Sequence, residues 1–424
     1  MGWTLDPAYV TVDKARVPEY KAQGKILENN DITALTFSTQ DDIYVFYAVF
    51  AITSFAANFY NADGTTLIYS TRVDYGSYLS EPLILPATDE SQLEPTQRYR
   101  FIGWKSEAED LFPRSEALAT GIVNLSQIKS QTMDKNFYAC YVLEDVHDRA
   151  TDSKYFDFVS TVTTSPDTNE KWDLRPQVTG YKVRPKAGYT LYGKITIPAS
   201  YNNKPIVSID GFHGSAFNDG TLPQEGVTHI YFMGSCYEFA DNAFNSMPNT
   251  FMYIECPDDL QLIGDSAFEA AGIHSFTPKT GLKVIGSSSF KNTPYLKVFE
   301  LPYGVTWIGS GAFNAGFNYE EVALYKIPGS VKVFNSNCLS YTGVRIKEFQ
   351  IGDIENRSQT YSELIQHSWP NSLGQNDTSN EHPLVITYWA PKTLTTEERS
   401  TLTTNLEDCV GYYTVKEIHI YPES

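Results

Sequence analysis

Along this chain an apolar anchor returns at a step in the low twenties. Phe217, Phe244, Phe268, Phe290, Phe313 and, in a degenerate copy, Leu339 are separated by 27, 24, 22, 23 and 26 residues. Recurrence at that period constrains the fold more than any other feature, because it marks a solenoid of stacked repeats. The phrase around each anchor is apolar-x-apolar-Pro, then Ile-Gly, then Ala-Phe. It is clearest from Tyr253-Ile254-Glu255-Cys256-Pro257 to Ile263-Gly264-Asp265-Ser266-Ala267-Phe268. It returns from Phe276-Thr277-Pro278 to Ile285-Gly286-Ser287-Ser288-Ser289-Phe290, and from Phe299-Glu300-Leu301-Pro302 to Ile308-Gly309-Ser310-Gly311-Ala312-Phe313.

Each part of the phrase has a physical reading. Alternating apolar residues such as Leu282 and Val284, or Phe299 and Leu301, suit short strands that bury one face. Proline ends a strand because it has no N–H to give to a ladder. Gly264, Gly286 and Gly309 are expected to allow tight turning. Each Phe plugs the space between neighbouring coils, and no coil can bury its face without the next.

The phrase resembles the BspA-like leucine-rich repeat family over about residues 190–345, and Ile-Gly-x-x-Ala-Phe is its most specific element. Ile195-Thr196-Ile197-Pro198 through Ile209-Asp210-Gly211-Phe212 matches the way such arrays open. The resemblance implies a leucine-rich-repeat solenoid over 179–355, with adhesion or recognition rather than catalysis as its business. Such proteins occur on bacterial surfaces, in some protists and in some phages. An open solenoid end exposes core, so residues 356–424 are expected to form an α/β cap. Within it lie a polar loop at 371–380, a strand at 385–389, a helix at 395–406 begun by Thr395 or Thr396, and a strand at 415–421.

A second module precedes the array, over residues 53–144. Phe59-Tyr60-Asn61-Ala62-Asp63-Gly64-Thr65-Thr66-Leu67 reads as a hairpin with an Asp-Gly turn. Tyr75-Gly76, Gly103-Trp104 and Tyr138-Ala139-Cys140-Tyr141 follow in order. These four elements resemble the Listeria–Bacteroides repeat, a small β-grasp-like module, with 106–126 as an insertion that has helical character near 115–120. Gly2-Trp3 and the run from Tyr44 to Phe50 echo the module's second half. Residues 1–52 are therefore expected to be a partial module, completed by missing upstream sequence or by a neighbouring subunit that covers the open strand edge, or else rebuilt as a leader. Residues 145–178 read as a linker holding one strand near 155–162. The expected fold is thus mainly β throughout.

Composition narrows the partners. The net charge of −19 disfavours nucleic acid and anionic lipid. No apolar run is long enough for a spanning helix, and the first residues carry no secretory signal. The five cysteines (Cys140, Cys236, Cys256, Cys338, Cys409) are odd in number and widely spaced, and read as small buried hydrophobes.

Catalytic patterns are not found. The sequence has no Gly-x-Ser-x-Gly, no phosphate loop and no His-Glu-x-x-His. The seven histidines lack ligand spacing, though stacking could bring His229 and His274 to related coil faces for a surface metal. Asp41-Asp42, Asp258-Asp259 and Glu320-Glu321 are sequence neighbours and so poor acid–base pairs, with a solvated turn as the default for each. No enzyme activity and no cofactor are expected.

Exposed aromatics on the coils are the candidates for protein or glycan contact: Tyr231, Tyr253, Tyr303, Trp307 and Tyr325. Burial in the core is the rival reading for each, since strand positions face inward half the time. Three settings fit. The first is a phage virion component in a tail, fibre or head decoration, the second the exposed part of a bacterial adhesin, and the third an accessory region of a secreted enzyme. The virion is the first expectation.

Overall fold

The computed structural model describes residues 2–28, 31–32, 35, 45–52, 54–82, 84, 86–129, 133–163, 177–214, 222–247, 251, 253–317, 321–339, 345–367, 373, 384–410 and 415–422. The fold is mainly β, with 34% strand against 12% helix, and the described residues form no closed barrel. It divides into two units, residues 1–88 with 99–143, and residues 89–98 with 144–424. Phe217, Asp41-Asp42, Glu320 and most of the 371–380 loop lie outside the described residues.

The first unit carries a sheet in the order Leu67–Asp74, Ser54–Tyr60, Lys135–Asp145, Gln97–Lys105, Ile122–Val123. The hairpin closes through Asp63, whose Oδ1 accepts from the Thr65 and Thr66 amides at 2.8 Å each. Gly64 supplies the left-handed φ of +73° that the turn needs. Ser54–Tyr60 pairs in parallel with Lys135–Asp145, setting Phe59 opposite Phe137. Phe59 then packs edge-on to Trp104 at 4.9 Å and stacks on Phe137 at 5.2 Å. In the 106–126 segment the helical turn expected near 115–120 is a 3-10 turn, Glu116–Leu118.

The described residues between 2 and 52 form a small cluster. Trp3–Thr4 pairs antiparallel with Tyr47–Ala48, and Thr11–Asp13 runs parallel to Phe50–Ile52. Val12, Ile26 and Val49 are its buried residues. That cluster is too small to enclose an indole. Trp3 is accordingly 38% exposed, whereas Trp104 is 2% exposed. Gly2-Trp3 matches Gly103-Trp104 in sequence but not in environment.

In the second unit Phe156–Val162 pairs antiparallel with Thr179–Pro185, so the expected linker supplies a strand. Thr179–Pro185 pairs in parallel with Lys204–Ile209. The parallel ladder then continues through Glu238–Phe239, Leu262–Ile263, Val284–Ile285, Trp307–Ile308 and Val333–Phe334. Its register aligns Phe239, Ile263, Ile285, Ile308 and Phe334, all buried.

The Ile-Gly glycines work differently from the turning role expected of them. None of Gly264, Gly286 and Gly309 lies in the left-handed region. Instead each presses on the preceding rung: a Cβ on Gly264 would meet the Asp241 amide nitrogen at 2.6 Å, and one on Gly309 the Ser287 nitrogen at 2.4 Å. The left-handed residues come two positions later, at Ser266, Ser288 and Gly311, and again two after each anchor, at Ala270, Asn292 and Ala315. This alternation turns every second amide toward the next repeat. Phe268 N donates to Ser289 O and Phe290 N to Ala312 O, both at 2.7 Å.

The anchors stack as columns of rings. Phe244, Phe268, Phe290 and Phe313 follow at centroid distances of 4.9, 5.0 and 5.4 Å, and all are fully buried. Leu339 is buried at 1% exposure where the ring is absent. Phe212, which the anchor spacing passes over, lies 6.2 Å from Phe244 and extends the column.

The last residues continue a second parallel sheet in the order Tyr325–Ile327, Glu348–Ile351, Leu384–Trp389, Val415–Tyr421. Helix Thr396–Val410 connects the final two strands and buries Leu402, Leu406, Cys409 and Val410, one stripe at helical spacing. A reciprocal capping box starts it. Thr395 Oγ1 accepts from the Glu398 amide at 3.2 Å, and Glu398 Oε2 accepts from the Thr395 amide at 2.9 Å. All five cysteines are buried, and none forms a disulfide. No helix among the described residues is long and apolar enough to cross a membrane.

Candidate recognition cleft

A third parallel sheet opens the array on another side, built from Tyr192–Ile197, Gly226–Phe232 and Tyr253–Ile254. Alternation gives it two faces. Ile195, Ile197, Ile230 and Ile254 enter the core and are at most 1% exposed. The other face carries Lys194, His229 and Tyr253 in one register line, with Thr196 and Tyr231 in the next.

Most of that face is covered, by residues 89–98 and 144–151 of the same unit. Tyr231 Oη donates to Pro95 O at 2.5 Å. Lys194 Nζ donates to Glu94 O at 3.0 Å and also to Gln97 O. Arg98 Nη1 donates to Thr196 Oγ1 at 2.7 Å, and that hydroxyl donates onward to Val146 O at 2.6 Å. Arg98 also pairs with Glu144 at 2.7 Å, with side chains 3% and 10% exposed.

Enclosure sets the electrostatics. Burial, helped by the Lys194 charge, holds the His229 imidazole down at about 4, so the ring is neutral at pH 7. Burial likewise pushes the Tyr231 phenol far up, with Tyr253 and Glu255 adding to the rise. Tyr231 is therefore a clamp residue. Its expected binding role is corrected by the cover, which comes from residues distant in sequence.

Past Tyr231 the face opens into a cleft of about 420 Å³. Tyr253, Glu255, Asp258, Asp259, Thr277 and Lys279 line it. Two of its carboxylates are held by neighbouring groups. Glu255 Oε2 accepts from the Phe232 amide at 2.8 Å, while its Oε1 lies 3.4 Å from His147 Nε2. Asp259 Oδ2 accepts from Ser235 Oγ at 2.7 Å. Tyr253 is half-buried, packed 5.6 Å from the Tyr231 ring, and Thr277 and Lys279 are exposed at the mouth.

The other expected contact residues fall elsewhere. Tyr303 is 54% exposed, next to Pro302. Trp307 is a partly buried ladder residue between Val284 and Val333. Tyr325 is core at 3% exposure, its hydroxyl 3.5 Å from Phe299 O. Of the five, Tyr253 alone reaches the cleft. Asp258 and Asp259, taken from sequence as a plain solvated turn, line it too. Their position just after Pro257, at the end of a strand phrase, was the available signal.

Among the described residues no three His, Cys, Asp or Glu side chains gather as metal ligands. Register also separates the two histidines considered together, since Tyr253 bridges from His229 to Ser275 rather than to His274.

Comparison with known proteins places the array. A leucine-rich repeat protein of T. pallidum (TpLRR) aligns at 19% identity over 48% of this chain and 86% of that one, with a TM-score of 0.36. The pneumococcal vaccine antigen PcpA aligns at 11% identity over 63% of this chain and 97% of that one, with a TM-score of 0.17. No curated protein matches. The match that carries weight is to sequence: residues 216–362 match the BspA type leucine-rich repeat region in six copies.

Proposed function

We propose that this chain is a non-catalytic attachment protein displayed on a surface, in which a leucine-rich-repeat solenoid presents a recognition face for a protein or glycan partner. The observation that carries the reading is the six-copy repeat region, whose side chains recur in register from rung to rung. Such an array offers extended ordered surface and little else. The column of buried rings is devoted to holding that surface in shape. In the N-terminal module the hairpin's first strand lies parallel to the module's last strand, which suits the β-grasp-like reading and a mounting role.

Two settings follow. A phage virion component is the first, and the strongly acidic, tyrosine-rich β composition suits it. A bacterial cell-surface protein is the second, favoured by the BspA type region. The decisive experiment adds the purified full chain as a competitor to particles or cells bearing the native protein. Dose-dependent loss of attachment supports the function, and attachment unaffected at saturating competitor rejects it. Peptides of this chain in purified virions, or released from intact cells by protease shaving, tell the two settings apart.

A further inference from the structure

We infer that the cleft beside Tyr253 is a saccharide-binding site, selective for uncharged sugars over anionic ones. This rests on the recognition reading above and adds the ligand class and its place.

Size and shape come first. An open cleft of about 420 Å³ suits a small ligand or the end of a chain, and is too confined for a protein face. Its walls are mainly polar, and its apolar part is formed by Phe232, Met233, Pro257 and the half-buried ring of Tyr253, a platform for the apolar C–H face of a pyranose. Around that ring stand acceptors at Glu255, Asp258 and Asp259, with donors at Lys279 and Thr277. A ligand with hydroxyls on its edge and hydrocarbon on its face meets all of them.

Charge and hydrogen bonding narrow the class. Three carboxylates face one ammonium, so the cleft repels sialic and uronic acids. A basic peptide is disfavoured for a different reason. A guanidinium is held best by a carboxylate offering both oxygens to its fork. In Glu255 one oxygen is taken by the Phe232 amide and the other faces His147, and in Asp259 one is taken by Ser235. Held in this way, Glu255 and Asp259 accept single hydroxyl donors instead. Lys279 at the mouth further opposes a cation.

The test uses the full chain and isothermal titration with defined probes: maltotriose, cellotriose and N-acetylchitotriose as neutral sugars, 3′-sialyllactose as an anionic one and tetralysine as a cation. Binding of at least one neutral probe is expected, weakened about tenfold or more by Tyr253→Ala and by Thr277→Arg. Thr277→Arg fills the cleft from an exposed position and so leaves the core intact, which covers the case in which Tyr253→Ala misfolds. No neutral probe binding, equal or tighter binding of sialyllactose or tetralysine, or neutral-sugar binding that survives Thr277→Arg would each overturn the assignment. Attachment that the full chain still blocks after Thr277→Arg removes sugar binding would separate the two claims, leaving attachment standing on another face.

Discussion

Gly286 rests against the backbone of Gly264 one repeat earlier, so that a Cβ on Gly286 would lie 2.6 Å from the Gly264 carbonyl carbon. Neither glycine needs its conformational freedom here. Both are required because each repeat sits on the last with no room for a methyl group.

Gly286→Ala should therefore destabilise the array through overpacking, by about 1–3 kcal/mol. Equilibrium urea unfolding followed by tyrosine and tryptophan fluorescence would show the midpoint falling. Gly76→Ala is the useful contrast: its strain is conformational, from a φ of +80°, with nothing within 4 Å of the added carbon. A Gly286→Ala midpoint equal to wild type would refute the close-approach account.

The ring column makes a separate prediction. Phe290 is fully buried and stacks on Phe268 at 5.0 Å and on Phe313 at 5.4 Å. Phe290→Ala should cost about 3–5 kcal/mol, combining lost transfer energy with a cavity between repeats. Phe290→Leu should recover part of that, because it restores volume without the ring contacts. The ordering Ala below Leu below Phe in thermal midpoint is the outcome to check.

The clamp on the first repeats is the most polar of the buried features. Arg98 and Glu144 form a buried pair, and Arg98 also reaches Thr196 and the Arg149 carbonyl. Arg98→Met takes the guanidinium from a largely buried carboxylate and should cost about 3–5 kcal/mol. Arg98→Met with Glu144→Leu should cost less than Arg98→Met alone, since the carboxylate that lost Arg98 is removed with it. If the double variant is the weaker of the two, the pair is not the unit that matters.

The ladder was legible in the sequence because its phrase is local: Ile285-Gly286 and Phe290 repeat at fixed offsets, although the offset alone does not show that the glycine serves close approach and not turning. What escaped was non-local. Tyr231 reads like any strand tyrosine until Pro95, 136 residues away, accepts its hydroxyl. Asp258 and Asp259 are adjacent carboxylates in the sequence, and nothing there shows that Thr277 and Lys279 of the next repeat stand across from them. Phe212 lies within the opening copy in sequence, and only its place in the ring column is hidden there. Its copy reads Gly-Phe where the phrase wants Ala-Phe.

His229 gives the pH dependence a direction. Its folded value of about 4 lies below the ordinary 6.5, because burial and the Lys194 ammonium both oppose a second positive charge. Between those two values the unfolded chain binds a proton that the folded chain refuses, so stability rises with pH across that window. Acidifying from pH 7 to pH 4.5 should therefore lower the thermal midpoint, and part of the fall should belong to this ring. His229→Phe keeps an aromatic on the covered face and removes the titration. The carboxylates titrate in both proteins, so the difference between their midpoint shifts isolates His229. A smaller acid-induced fall in the variant is the expected result; an identical fall would mean that the imidazole accepts its proton in place, with the cover over the sheet yielding to let it do so.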